Sequence, residues 1–174
     1  DLNNGLIKFI GDPAKRIKED YLRILRYIRF FIDYSKHDHD EETIKLIKQN
    51  LSGLKQVSKD RQLQELKKIL NTKNFTNINS DKISKDLFLL VFPELKYLKR
   101  LIKIHEVSKD FPLDKNILLA ILLIDEKKNH EYFLHKYNVP NVLKKELNFL
   151  HDNYQIFQKD RKYFYEKLKK NIFY

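Results

Sequence analysis

Asp20 and Arg23 have the side-chain chemistry and the spacing to recognise the edge of a nucleobase. On one helix they would lie about one turn apart, so a carboxylate acceptor and a guanidinium donor would face the same ligand. Cytosine and adenine both present an amino donor beside a ring acceptor, whereas uracil and guanine present a carbonyl oxygen to the carboxylate. Two facing acceptors cannot hydrogen-bond in a dry site. The pair therefore predicts selection of cytosine and adenine over uracil and guanine by roughly 10⁴-fold or more.

Further charged residues surround this pair: Arg16, Glu19, Arg26 and Arg29. From Asp20 to Arg29 one continuous helix would rise about 13 Å at 1.5 Å per residue, which is comparable to the length of a nucleoside triphosphate. We therefore expect the base at the Asp20 end and the phosphates towards Arg29, with Glu19 orienting Arg23 or Arg26. The alternative is a solvated helix face, whose pairs of opposite charge four residues apart contribute only about 0.2–0.5 kcal/mol each.

The stretch from Ile7 to Tyr34 must position these side chains. Alternating polarity over residues 6–10 predicts a strand, and Gly11 interrupts it. Asp12 is a favourable N-cap, and Pro13 suits the first helical position because its missing N–H costs nothing there. We predict one helix from Pro13 to Tyr34, with a stripe of apolar residues facing a core. The stripe consists of Ile17, Tyr21, Ile24, Leu25, Ile28, Phe31 and Ile32.

A second helix is predicted to begin at Ser58. Ser58 is placed to N-cap a helix, and on that helix Arg61 and Glu65 form a pair four residues apart. The same residues also fit a simple capped helix at the surface.

Metal-binding residues are sparse. His37 and His39 flank Asp38, but the three residues fit a solvent-exposed connection before an N-cap at Asp40 better than a metal site. Cysteine is absent, which excludes disulfides and thiolate metal sites. We identify no catalytic residue and no metal ligand in this sequence.

Two groups of residues resemble motifs of a known family. The first group contains Asp1, Leu2, Gly5, Ile7, Phe9 to Pro13, Arg16, Ile17, Glu19, Asp20, Arg23 to Arg26, Arg29 and Phe30. The second group contains Val57, Ser58, Arg61, Glu65 and Leu66, with Asp60 where Glu is usual. On these residues the chain resembles the class II tRNA nucleotidyltransferases, that is, the CCA-adding enzymes and their bacterial poly(A) polymerase relatives. The resemblance covers roughly the first 70 residues.

The resemblance implies an enzyme that adds C and A from CTP and ATP to the 3′ end of tRNA. It also implies that Arg26 and Arg29 contact the incoming nucleotide, and that the element carrying Arg61 braces the nucleotide helix. In this family an N-terminal head carries the carboxylates that bind Mg²⁺. Because the sequence opens at Asp1 and contains no Met, we expect the head, in the same chain or in a separate subunit, to be absent from it and the chain alone to be inactive.

The predicted fold is all-α and elongated, with about seven to nine helices, because Gly and Pro are rare and helical periodicity recurs. We assign residues 1–11 to a remnant of the head that contributes its last strand, residues 12–72 to a nucleotide-selecting neck, and residues 73–174 to an RNA-binding body and tail. The polar run over residues 71–80 marks the boundary between neck and body.

The charge balance favours a polyanionic partner such as tRNA, with 35 Lys and Arg against 24 Asp and Glu, a net charge of +11. A bias in genomic nucleotide composition is the alternative explanation for abundant lysine. In the aromatic and basic tail we expect RNA contacts, although an amphipathic core helix fits the same pattern. The basic residues concerned are Lys159, Arg161, Lys162, Lys167, Lys169 and Lys170.

No run of 18 apolar residues occurs, so we expect no membrane association and a cytoplasmic location. Two alternatives to the enzyme stay open on these residues. The first alternative is a headless RNA-binding subunit or a poly(A) polymerase fragment. The second is a purely structural helical module.

Overall fold

The computed structural model describes residues 4–104 and 114–159. This part contains eight α-helices and three 3₁₀ segments and no strand, which confirms the predicted all-α class. The helices are α1 Pro13–Glu19, α2 Leu22–Tyr34, α3 Glu41–Asn50, α4 Lys59–Leu70, α5 Lys82–Val91, α6 Lys115–Leu123, α7 Asn129–Lys136 and α8 Asn141–Lys159. The 3₁₀ segments are Leu51–Gln56, Phe75–Ser80 and Leu98–Lys103.

The single helix predicted from Pro13 to Tyr34 is wrong, because the chain breaks at Asp20 into α1 and α2. Asp20 has an extended backbone, with φ −153° and ψ 102°. Its Oδ1 accepts a hydrogen bond from the backbone N–H of Leu22 at 3.1 Å, and its carbonyl accepts one from the N–H of Arg23 at 3.0 Å. Aspartate suits this position before a helix, because its carboxylate accepts hydrogen bonds from backbone N–H groups that the first turn of a helix leaves unpaired.

The strand predicted over residues 6–10 is also absent from the described residues. A strand requires a neighbouring strand to pair its backbone groups, and the described part of the chain supplies none. The segment instead packs on α2, where the ring of Phe9 stacks on Tyr27 with centroids 5.6 Å apart and planes 6° apart. The carbonyl of Gly5, whose φ is +66°, accepts from the N–H of Lys36 at 3.1 Å just beyond α2.

Helix α2 lies at the centre of the first half. Its residues Ile24, Leu25 and Ile28 are at most 1% exposed, and they pack with residues of α4 and α5. Each such buried side chain contributes about 1.5–3 kcal/mol relative to its exposed state. The relative positions of α2 and α4 therefore depend on a well-packed apolar contact.

The second half surrounds α6, which is apolar on several sides and packs against α4, α7 and α8. The buried residues form one cluster that runs from Ile17 in α1 to Leu147 in α8. Helical periodicity in the sequence also predicts helices over residues 115–126, 131–136 and 142–158, and all three occur with slightly different bounds. The division into neck and body stays a prediction.

The sequence Phe92-Pro93-Glu94-Leu95 connects the two halves. Phe92 and Leu95 are fully buried, and the carboxylate of Glu94 forms an ion pair with Lys136 of α7 at 2.5 Å. The carbonyl of Glu94 also accepts from the side-chain amide of Asn129 at 2.8 Å. This turn therefore fastens α5 to the start and the end of α7.

Candidate nucleotide-binding site

A groove of about 310 Å³ lies between residues 7–10 and the polar side of α1 and α2. We call it the arginine groove, and it is lined by Ile7, Lys8, Phe9, Ile10, Arg16, Arg23, Arg26, Tyr27 and Phe30. Its lining combines four cationic side chains with aromatic rings. Guanidinium groups bind phosphate oxygens, and aromatic rings provide flat apolar surfaces for a base or ribose.

Glu19 holds two of the arginines in place. Its Oε2 accepts from Nη1 of Arg16 at 2.6 Å and from Nη1 of Arg23 at 2.7 Å. Arg23 donates a further hydrogen bond to the carbonyl of Arg16 at 2.7 Å. The hydrogen bond from Arg23 to Glu19, together with the neighbouring charges of Arg16 and Arg23, lowers the pKa of Glu19. Glu19 thus stays ionised and contacts Arg23, while its role in orienting Arg23 for a nucleotide stays a prediction.

Asp20 lies against α4 and not against Arg23. Its Oδ2 accepts from Nη2 of Arg61 at 3.0 Å, across 41 residues of sequence. Arg61 is placed by the start of α4, where Oγ of Ser58 accepts from the backbone N–H of Arg61 at 3.3 Å and confirms the predicted cap. The carboxylate and guanidinium predicted to read a base therefore each have a protein partner in this structure.

Arg29 connects α2 to α4. Its Nε donates to Oε1 of Glu65 at 2.5 Å, and Glu65 is only 2% exposed. The guanidinium also lies over the ring of Phe30, 4.3 Å from its centroid. The prediction that Glu65 pairs with Arg61 is wrong, because packing of the two helices presents Arg29 to Glu65 instead.

Arg26 is the remaining predicted nucleotide ligand, and it lines the arginine groove. Within the described residues its side chain makes no hydrogen bond or ion pair. The structure thus brings Arg16, Arg23 and Arg26 together at one groove. It pairs Asp20 with Arg61 and Arg29 with Glu65, both of which belong to α4.

His39 is a residue whose environment the sequence did not indicate. The prediction of a solvent-exposed connection is wrong for it, because it is 8% exposed and its ring stacks on Phe31. Its Nδ1 is hydrogen-bonded to the hydroxyl of Tyr27 at 3.0 Å, and its Nε2 lies 2.9 Å from Oδ2 of Asp81 and 3.0 Å from Oγ of Ser84. Burial lowers the pKa of His39 despite the carboxylate of Asp81. His39 therefore joins α2 to the start of α5.

The basic tail residues lie almost wholly outside the described residues. Lys159 ends α8, and nothing is described of its side chain. The others, Arg161, Lys162, Lys167, Lys169 and Lys170, fall after residue 159. In residues 4–104 and 114–159 no group of three or more His, Asp or Glu side chains is suited to hold a metal ion. None of the helices in the same ranges has the length and apolarity needed to span a membrane.

Comparison with known families gives one match within the chain. A family model described as "Probable RNA and SrmB-binding site of polymerase A" matches residues 39–99. This range begins at His39 and contains α3, α4 and α5. It therefore includes Arg61 and Glu65, the two residues of α4 that contact the Asp20 and Arg29 side chains.

The chain is also similar to curated proteins that are named as a CCA tRNA nucleotidyltransferase or a CCA-adding enzyme. The chain is 50% identical over 72 residues to "CCA tRNA nucleotidyltransferase 1, mitochondrial" of Mus musculus and of Homo sapiens, a match covering 40% of this chain and 17% of each relative. It is 30% identical over 128 residues to the "CCA-adding enzyme" of Lactobacillus helveticus, covering 71% of this chain and 31% of the relative. It is 27% identical over 152 residues to that of Staphylococcus aureus, covering 85% of this chain and 35% of the relative. The matches thus span between about a sixth and about a third of the length of these relatives.

Proposed function

Because the chain belongs to the family of CCA-adding enzymes and poly(A) polymerases, we propose that it supplies nucleotide selection and tRNA binding to an enzyme that adds C and A to tRNA 3′ ends. Within that family it corresponds to a C-terminal, RNA-binding portion. The observation that carries the proposal is the arginine groove, where three guanidinium groups meet beside aromatic rings.

In this proposal Asp20 and Arg23 select the base. Arg61 holds the Asp20 carboxylate through an ion pair at 3.0 Å, and Glu19 holds the Arg23 guanidinium through one at 2.7 Å. The amino group of cytosine or adenine donates to Asp20, while Arg23 donates to the adjacent ring nitrogen. A base that presents a carbonyl oxygen to Asp20 is rejected because two acceptors then face each other.

The triphosphate occupies the arginine groove. Arg26 has no protein partner among the described residues, so its five N–H donors are available to phosphate or ribose oxygens. Arg16, which shares Glu19 with Arg23, adds a second positive charge at the groove. Arg29 holds α2 on α4 through Glu65, and a direct contact between Arg29 and the nucleotide stays a prediction.

Catalysis is assigned to a separate head domain. Transfer of a nucleotide to a 3′-hydroxyl needs carboxylate-held Mg²⁺ ions that activate the attacking oxygen and stabilise the triphosphate. The described residues do not fit that role, since they contain no cluster suited to a metal ion. We propose CTP and ATP as the substrates and tRNA as the partner of the combined enzyme. A cytoplasmic location stays a prediction, and the names of the mouse and human relatives include the word mitochondrial.

Calorimetric titration of the 174-residue chain with each of the four nucleoside triphosphates tests the proposal. We expect CTP and ATP to bind at least about tenfold more tightly than UTP and GTP. Asp20→Ala should remove this difference, whereas Asp86→Ala, an exposed aspartate on α5, should preserve it. Equal affinity for all four nucleotides in the unaltered chain, or no binding at millimolar concentration, would overturn the proposed role in selection.

A further inference from the structure

A second groove, of about 710 Å³, lies where α7 turns into α8. We call it the elbow groove, and it is lined by Glu131, Leu134, His135, Asn138, Val139, Asn141, Lys144 and Asn148. Its volume is more than twice the 310 Å³ of the arginine groove. It lies outside residues 39–99, which the family model matches.

The backbone of the elbow is firmly held. Asn138 has a φ of +46°, a left-handed conformation that asparagine tolerates better than most residues. The N–H of Val139 donates to the carbonyl of Leu134 at 3.3 Å, and Val139 is only 8% exposed. Leu143 and Leu147 anchor the first turns of α8 in the core. The groove is therefore formed by well-packed helix ends.

Polar side chains face this groove without protein partners. On α8, Asn141, Lys144 and Asn148 follow steps of three and four residues, which place them on one face of the helix. Together with His135 and Asn138, they make no side-chain hydrogen bond or ion pair within the described ranges. Three amides, an imidazole and an ammonium group thus line one groove, where they are open to solvent or to a ligand.

The chemistry of the lining identifies a class of ligand. Amide side chains carry a donor and an acceptor side by side, which matches base edges, and Asn pairs in this way with adenine. An imidazole ring stacks on a base, and an ammonium group binds phosphate. The carboxylate of Glu131 is turned to Lys128 at 3.0 Å and so does not oppose a phosphate alone. A groove of this volume lies in the range of about 300–1,000 Å³ that holds ligands of nucleotide size.

We propose that the elbow groove binds a nucleotide unit of single-stranded RNA, with Lys144 on its phosphate, His135 stacked on its base and the asparagine amides on the base edge. Leu134 and Val139 supply an apolar floor for the ribose or the base. The inference rests on the proposed RNA-binding function and adds to it a defined site with base contacts.

Matched lysine variants test the proposal in the full 174-residue chain. We expect Lys144→Gln to weaken binding of a fluorescent single-stranded oligoribonucleotide by about tenfold and to reduce the slope of log affinity against log salt by about 0.7. Lys145→Gln makes the same charge change at the next residue, which is exposed and does not line the groove, and should alter affinity less than about twofold. His135→Ala should weaken binding without changing the salt slope. Circular dichroism and thermal melting establish that each variant is folded.

A measurement on the unaltered chain avoids the question of folding. In ¹H–¹⁵N spectra the side-chain amides of Asn138, Asn141 and Asn148 should shift when the RNA is added, and the amide of Asn153 on the same helix should not. Shifts elsewhere with these three amides unchanged would overturn the proposal.

Other results of these experiments can show that the elbow groove is not the RNA site even though the proposed function holds. Equal losses in Lys144→Gln and Lys145→Gln would indicate diffuse attraction and overturn the groove while leaving RNA binding intact. Displacement of the RNA by polyglutamate at equal concentration would indicate an acidic protein partner, and displacement by free AMP at equal concentration would indicate a mononucleotide site; either result would overturn the proposal. In every case, Lys144→Gln should leave the selection of CTP and ATP at the arginine groove unchanged. A negative result for RNA binding at the elbow groove therefore does not contradict nucleotide selection at the arginine groove.

Discussion

Asp20 and Arg61 form an ion pair at 3.0 Å that joins the break between α1 and α2 to the first turn of α4. Asp20 also caps α2 through its other carboxylate oxygen, so both oxygens have defined partners. The residue predicted to read the base is therefore positioned by two elements that are distant in sequence. The role in selection that we propose for Asp20 therefore depends on how those elements pack.

Removing Arg61 tests this positioning. In Arg61→Ala, Asp20 keeps its bond to the Leu22 N–H but loses its cationic partner, so we expect several-fold weaker binding of CTP and ATP. Because the Arg61 side chain is 51% exposed, the free energy of unfolding should fall by less than about 1 kcal/mol. Calorimetry and urea unfolding measure the two effects. A large loss of stability with unchanged nucleotide affinity would show that Arg61 only supports the fold.

Glu65 is expected to matter for stability. Its carboxylate is 2% exposed and pairs with Arg29, so Glu65→Ala leaves a half-buried guanidinium without its partner. We expect the free energy of unfolding to fall by about 3 kcal/mol, measured by urea denaturation. Lys68→Ala removes the exposed second partner of Glu65. This variant should change the free energy of unfolding by less than about 0.5 kcal/mol. Similar losses of unfolding free energy in Glu65→Ala and Lys68→Ala would show that burial of the Glu65–Arg29 pair does not determine its contribution to stability.

Gly53 controls the position of Tyr21, the neighbour of Asp20. A Cβ at Gly53 would lie 2.1 Å from Cε1 of Tyr21, so the ring must move in Gly53→Ala. We expect a loss of about 1–3 kcal/mol of stability, together with weaker nucleotide selection. In the double variant Gly53→Ala with Tyr21→Ala the clash is gone, and the double-variant cycle should show a coupling energy. Additive losses would mean that the two residues do not act on each other.

The stability of the protein should depend on pH through buried histidines. The rings of His130 and His151 lie 4.2 Å apart, and Nδ1 of His130 is buried without a partner among the described residues. Burial, and then the charge of His151, lower the pKa of His130, and burial lowers the pKa of His39. Since the unfolded chain then binds protons that the folded chain does not, stability is complete above the unfolded pKa of about 6.5 and falls as pH decreases.

Thermal melting between neutral and mildly acidic pH measures this dependence. His130→Gln should reduce the loss of stability on acidification relative to the unaltered chain. His37→Gln, at an exposed position, should leave the loss unchanged. Stability that rises as pH decreases through this window would reverse the expected sign and contradict the assignment of neutral buried rings.

Helices and their starts were predictable because their causes are local. Asp12 caps α1 through the backbone N–H of Ala14 at 2.9 Å, and Ser58 and Asp40 cap α4 and α3 as their positions indicated. Apolar periodicity likewise identified most of the buried face of α2. The contact of Glu19 with Arg23 was also expected, but it forms across the break at Asp20 and not along one continuous helix.

The sequence by itself determined most of the helices, their caps and the presence of several arginines near one face. Only the tertiary structure decided that Asp20 breaks the helix, that Asp20 meets Arg61, that Arg29 meets Glu65 and that His39 is buried. Those pairs join residues 41 and 36 positions apart. Their formation depends on the packing of α2 against α4, which no local periodicity specifies, because side-chain spacing within a helix carries no information on which other helix it will contact.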